Sequence, residues 1–111
     1  MATNPWVTGA ETCELALALD ALGDPRAGRL FAQVRHTRHE SGLYWTGYVH
    51  DAGVFWPEEQ TTYTSAAVVL AADALSRTTA GNGLFRGDAS AGLPAPPATL
   101  ALECDLAGCA P

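Results

Sequence analysis

The chain contains no lysine. Its six basic residues are all arginine, set against twelve Asp and Glu, for a formal net charge of -6. A sequence so poor in positive charge argues against a surface that tracks nucleic-acid phosphates and against a basic helix lying on a membrane. Long apolar runs are also missing. The longest, Ala66 to Ala72, falls far short of the roughly 20 residues that cross a bilayer, so no membrane span is expected. The start, Met1-Ala2-Thr3-Asn4-Pro5-Trp6, has neither the charged opening nor the apolar stretch of a secretory signal, and a cytoplasmic location is expected. Cysteine is limited to Cys13, Cys104 and Cys109, an odd number at wide spacing without a CxxC pair, which excludes a zinc knuckle or a disulfide framework. No Ser/His/Asp triad, phosphate-binding loop or dinucleotide glycine pattern is present, so nucleotide-dependent and triad-hydrolase chemistry lack support.

What remains is 48% hydrophobic and only 16% charged over 111 residues, a composition that folds as one small domain. A chain of this length buries about two-thirds of its unfolded surface, so its stability is marginal unless something else covers the rest.

The pattern predicts helices. Thr8-Gly9-Ala10-Glu11 has capping-box spacing, and from Glu11 to Leu22 apolar residues run nearly all round, which predicts an enclosed inner helix. Gly23-Asp24-Pro25 stops one helix and starts another: Gly suits a left-handed position, Asp caps, and Pro fits a first turn. Ala27, Leu30, Phe31 and Val34 then recur at i, i+3, i+4 and i+7, giving an outer helix with one buried stripe, antiparallel to the first. After Glu40-Ser41-Gly42 the segment Leu43 to Trp56 is rich in aromatic residues around Asp51-Ala52-Gly53, which fits a short hairpin or packed loop. Thr61 is placed to cap a third, inner helix running to about Ser76. The fold class expected is therefore all-α, with residues 4–86 as the helical unit. Residues 87–111, rich in Gly, Ala and Pro, are expected to form a mobile tail.

Three groups of residues carry candidate chemistry. Glu11-Thr12-Cys13 sets a carboxylate and a thiol two residues apart at a helix start, where the dipole favours a thiolate and zinc could find two ligands; equally, Glu11 closes a capping box and Cys13 is a small buried residue. His36, His39 and His50, with Asp51, form a histidine group that suits either a metal or the C-terminal dipole of a helix. The aromatic set Tyr44, Trp45, Tyr48, Phe55 and Trp56 either lines a pocket or locks a loop onto the helices, with Trp45 and Tyr48 the best placed to meet a ligand.

The strings Trp6-Val7-Thr8-Gly9-Ala10-Glu11-Thr12-Cys13, Tyr44-Trp45-Thr46-Gly47-Tyr48 and Thr61-Thr62-Tyr63-Thr64-Ser65-Ala66-Ala67 resemble the C-terminal repeats of actinobacterial prenyltransferase-like proteins, in the terpene cyclase and protein prenyltransferase superfamily. The likeness covers roughly residues 4–87. It implies a partial α/α toroid whose inner helices line an apolar cavity for an isoprenoid chain, with Trp45, Tyr48, Trp56 and Tyr63 as substrate-binding residues. It also implies a possible zinc site. Glu11 and Cys13 stand where an Asp-x-Cys pair would be, Thr64 stands where a later histidine is required, and His50 would have to replace it. The Asp-x-Asp-Asp acid of the cyclases is absent, and otherwise no cofactor is expected. About one and a half helical hairpins leave apolar faces open, which implies self-association or a protein carrying the remaining repeats. The function so implied is isoprenoid binding by a terminal segment that does not catalyse alone; the alternative is a small helical interaction module.

Overall fold

A computed structural model of the chain describes residues 4–88. Most of the tail expected at 87–111 lies outside the described residues. Three short strands and three helices follow one another as β1 (Trp6–Thr8), α1 (Gly9–Ala21), α2 (Arg26–Ala32), β2 (Gly47–Val49), β3 (Val54–Phe55) and α3 (Thr62–Ser76), with 3₁₀ turns at Gln33–Thr37 and Leu84–Arg86.

Local chemistry accounts for the helix boundaries, though not always through the residues the pattern favours. Thr61 caps α3, its hydroxyl accepting the Thr64 backbone N–H at 3.2 Å. The capping box at Thr8 does not form. Thr8 makes no side-chain cap, and its carbonyl instead accepts the Thr12 hydroxyl at 2.6 Å. Beyond α1, Gly23 occupies the left-handed region at φ 71° as expected, while Pro25 rather than Asp24 holds the cap position of α2, and Asp24 Oδ1 accepts the Arg26 backbone N–H at 2.9 Å across it. After α2 the helix tightens into the 3₁₀ turn, where the Thr37 hydroxyl donates to Val34 O at 2.6 Å.

α1 and α3 run side by side in the same direction. Tyr63 at the start of α3 donates to Glu14 in α1. Arg77, just past the end of α3, reaches Asp20 near the end of α1 at 2.9 Å. The seam between the two helices is made of small side chains. Ala10, Cys13 and Leu17 pack with Ala67, Val68, Ala71 and Ala74, and Val34 closes the cluster from the 3₁₀ turn. Alanine lets the backbones approach closely, but so few large residues are enclosed that the core is modest, each fully buried Val or Leu contributing roughly 1.5–3 kcal/mol. Leu15, Leu22, Val69 and Leu70 remain exposed. The all-round apolar patterning of α1 and α3 is thus buried on one side only within the described residues.

The all-α expectation is corrected by the sheet. β2 and β3 form the hairpin allowed for at 43–56. β1 joins them as a third antiparallel strand in the order β1-β2-β3, with Trp6 opposite Val49 and Thr8 opposite Gly47. The fold is mixed α/β. Three extended residues ahead of a helix carry no period-2 pattern; β1 exists because it finds a partner some forty residues away, and that pairing is invisible to local periodicity.

Candidate functional site

Because successive residues of a strand point to opposite faces, the sheet sorts the aromatic residues of the chain into two groups. One face carries Val7, Tyr48 and Phe55 in a row across the three strands. Trp45 lies flat on Phe55, centroids 5.3 Å apart and planes 8° apart, and His39 meets Trp45 edge-on at 5.6 Å. His36 and His50 approach Tyr48, both edge-on with centroids 5.0 Å away. The opposite face carries Trp6, Val49, Val54 and Trp56. Trp6 and Trp56 meet at 5.5 Å with planes 71° apart.

On the first face a cleft of about 400 Å³ opens between the start of α1, the 3₁₀ turn and β2. Val7, Val34 and Tyr48 give it apolar walls, while Thr12, Gln33, His36 and His50 bring polar atoms to it. A ligand pocket of this kind combines an apolar body with a few oriented polar groups. His36 is oriented: its Nδ1 lies 2.7 Å from Gln33 O, and because a carbonyl only accepts, that nitrogen is the donor. In the neutral ring Nε2 therefore carries the lone pair. His39 is committed elsewhere, its Nδ1 accepting the Ser41 backbone N–H at 3.1 Å.

The parallel arrangement of α1 and α3 sets their N-termini at the same end of the helix pair, and each helix has acidic residues at or just before its start. Glu11 and Glu14 lie in the first turns of α1, and Glu58 and Glu59 precede α3. Tyr63 donates its hydroxyl to Glu14 Oε1, and this hydrogen bond, followed by the Glu14 charge, holds the phenol above its usual pKa. Glu59 is anchored through its main chain, its carbonyl accepting the Thr46 N–H at 3.1 Å.

The residues singled out in the sequence fall into different places. Tyr48 and His50 line the cleft, and Trp45 supports its aromatic wall from behind Phe55. Trp56 is on the other face, and Tyr63 is at the acidic end. Glu11, Cys13 and His50 are not brought together: among the described residues no three His, Cys, Asp or Glu side chains form a metal-binding group. Cys13 is fully buried, and burial, with a smaller push from the Glu14 charge, raises its thiol pKa to about 11. Two contributors escape sequence reasoning. His36 looks like a helix-end histidine, and its place in the cleft depends on the 3₁₀ turn folding back against β2. Trp6 looks like a residue before a helix, and only the pairing of β1 with β2 brings it to Trp56. The approach is close enough that a Cβ on Gly47 would run into the Trp6 indole and reach within 3.0 Å of Trp56 O, so glycine is required there.

No family model matches the chain. A protein of Mycolicibacterium hassiacum, described as MMP endo-(1,4)-3-O-methyl-alpha-D-mannosidase, is 67% identical to it over 85 residues, which cover 76% of this chain and 24% of that protein. The chain spans about a quarter of the length of the relative it matches. This identity overturns the resemblance to prenyltransferase-like proteins and, with it, isoprenoid binding by an α/α-toroid segment and the isoprenoid as ligand. The strings behind that resemblance describe close-packed helices joined by an aromatic segment. They report how the chain packs, and packing does not specify chemistry.

Proposed function

We propose that the chain is the part of a glycoside hydrolase acting on a 3-O-methylated α-mannan that supplies a saccharide-binding cleft and a group of carboxylates. The observation that carries this reading is the 67% identity over 85 residues to an endo-mannosidase of that description. The site chemistry agrees with it. Most glycosidases work through a pair of carboxyl groups flanking the scissile bond, one passing a proton to the leaving oxygen and the other acting as base or nucleophile. Glu11, Glu14, Glu58 and Glu59 at the N-terminal ends of α1 and α3 are carboxylates of the required kind, and the Tyr63 hydroxyl fixes the orientation of Glu14. The cleft suits a neutral, partly apolar sugar, because its walls are Val7, Val34 and the edge of Tyr48 and its polar atoms are uncharged or histidine.

Calorimetric titration of the chain with a 3-O-methylated α-1,4-mannan oligosaccharide tests the reading, with farnesyl diphosphate as the control. Saccharide binding that weakens at least tenfold in His36→Ala and in Tyr48→Ala, with no response to the diphosphate, is the expected result. A chain that ignores the oligosaccharide at millimolar concentration, or binds the diphosphate instead, overturns the proposal.

A further inference from the structure

The face of the sheet turned away from the cleft holds a second, chemically different surface. Trp6 and Trp56 stand 47% and 56% exposed, unusually open for residues of that size, and form an L-shaped shelf. Asn4, Val49, Ala52 and Val54 complete a shallow recess of about 370 Å³ with them, and none of the six side chains is charged although the chain has a net charge of -6. The Trp6 indole N–H is already used, donating to Trp56 O at 2.8 Å. The shelf therefore offers ring faces and valine methyls, with the Asn4 amide and the Trp56 indole N–H as its polar groups.

We infer that the Trp6–Trp56 shelf is a separate subsite for an O-methylated hexopyranose unit of a neutral polysaccharide; this rests on the saccharide reading above. Two arguments lead from the surface to that occupant. With no basic side chain in the recess an anionic ligand would find no partner for its desolvated charge, and with no acidic one a cation would meet only the ring faces. The negative face of an aromatic ring attracts polarised C–H groups, and the C–H-bearing face of a pyranose presents them in a plane that matches an indole. A free hydroxyl pressed onto the ring faces or the valine methyls gives up its hydrogen bonds to water without replacement, whereas a methyl ether has no donor to satisfy and adds a methyl to the buried area. Burying one such carbon is worth about fourfold in affinity, so the shelf should select methylated over unmethylated mannose by that factor or more. A polymer could then be held on both faces of the sheet, gripped on the shelf while another unit lies in the cleft.

The test is an NMR titration of the chain with methyl 3-O-methyl-α-D-mannopyranoside and, separately, methyl α-D-mannopyranoside. Expected are shifts centred on Trp6, Val49, Val54 and Trp56, an affinity for the methylated sugar at least about fourfold higher, and a loss of at least fivefold in Trp56→Ala. That variant keeps the Trp56 carbonyl, so the acceptor for the Trp6 indole N–H survives. Val54→Lys, on an exposed position at the edge of the sheet, blocks the recess without removing a ring and should act in the same direction. Shifts confined to Thr12, His36, Tyr48 and His50 would overturn the shelf and leave the saccharide reading standing. Equal affinity for the two sugars would overturn the selection for methylation. No binding of either sugar at any face would overturn both.

Discussion

Cys13 shows at the scale of one residue how environment overrides type. A thiol in the first turns of a helix is favoured as thiolate by the dipole, and on that ground it looks reactive. It is instead packed between α1 and α3 with no exposed surface, and burial drives its pKa to about 11. In a chain whose Cys104 and Cys109 are changed to Ser, Cys13 should resist a disulfide reagent at pH 8 until guanidinium is added. Labelling of the folded protein should be slower than that of the unfolded chain by about a thousandfold or more, following the rarity of opening. Labelling at similar rates in both states would show that the seam between α1 and α3 is open. His36 makes the complementary point: exposed and ordinary as a sequence feature, it gains a fixed tautomer from one carbonyl, Gln33 O, at 2.7 Å.

At the scale of elements, α1 and α3 begin with threonines that look alike in sequence and behave differently. Thr61 caps α3 through the Thr64 N–H, while Thr8, at the end of β1 and with an equally extended backbone, leaves its helix uncapped by any side chain. Replacing Thr61 with Ala should cost about 1 kcal/mol, which for a domain of this size lowers Tm by roughly 4–8 °C. Thr8→Ala should fall within about 0.5 kcal/mol of the parent. Thermal unfolding of the two variants in parallel checks the contrast, and equal losses would mean that the Thr61 cap contributes nothing special. The same strand explains why helix positions were legible in the sequence and the sheet was not. A helix writes its pattern into neighbouring residues. The pairing of Trp6 with Val49 is written nowhere along the chain until the two segments meet.

The whole molecule is drawn together at the end opposite the carboxylates. Asp20 of α1 receives Arg77 at 2.9 Å and Arg86 at 2.8 Å, joining α1, the residue that ends α3 and the final 3₁₀ turn through one side chain that is only 10% exposed. Its carboxyl is held below the usual value, first by the Arg77 hydrogen bond and then, against some opposing burial, by that of Arg86. A depressed folded pKa stabilises the fold fully above the unfolded value, near pH 4, and that contribution is lost as pH falls from there through the lower folded value. Asp20→Asn should therefore lose about 1–3 kcal/mol at pH 7. It should also show a shallower decline than the parent between pH 5 and pH 3 in urea unfolding followed by circular dichroism. Parallel declines in parent and variant would remove Asp20 from the acid response. At the same scale, the exposed Leu15, Leu22, Val69 and Leu70 show that the apolar surface exceeds what α1, α2 and α3 enclose among the described residues. That excess is why patterning alone reads α1 and α3 as inner helices.

The sequence by itself determined where the helices lie, the turn at Gly23-Asp24, the cap at Thr61 and the aromatic hairpin, because each of these depends on residues within a few positions of one another. It also singled out Tyr48 as a residue to face a ligand and His50 as a possible metal ligand, and both line the cleft. The tertiary structure decided the rest: that β1 completes a three-stranded sheet, that His36 faces the cleft while His39 serves its loop, that Trp6 and Trp56 share the opposite face, and that Cys13 is sealed. Those outcomes come from contacts between segments far apart in the chain, whose energies depend on register and burial rather than on the local order of residues.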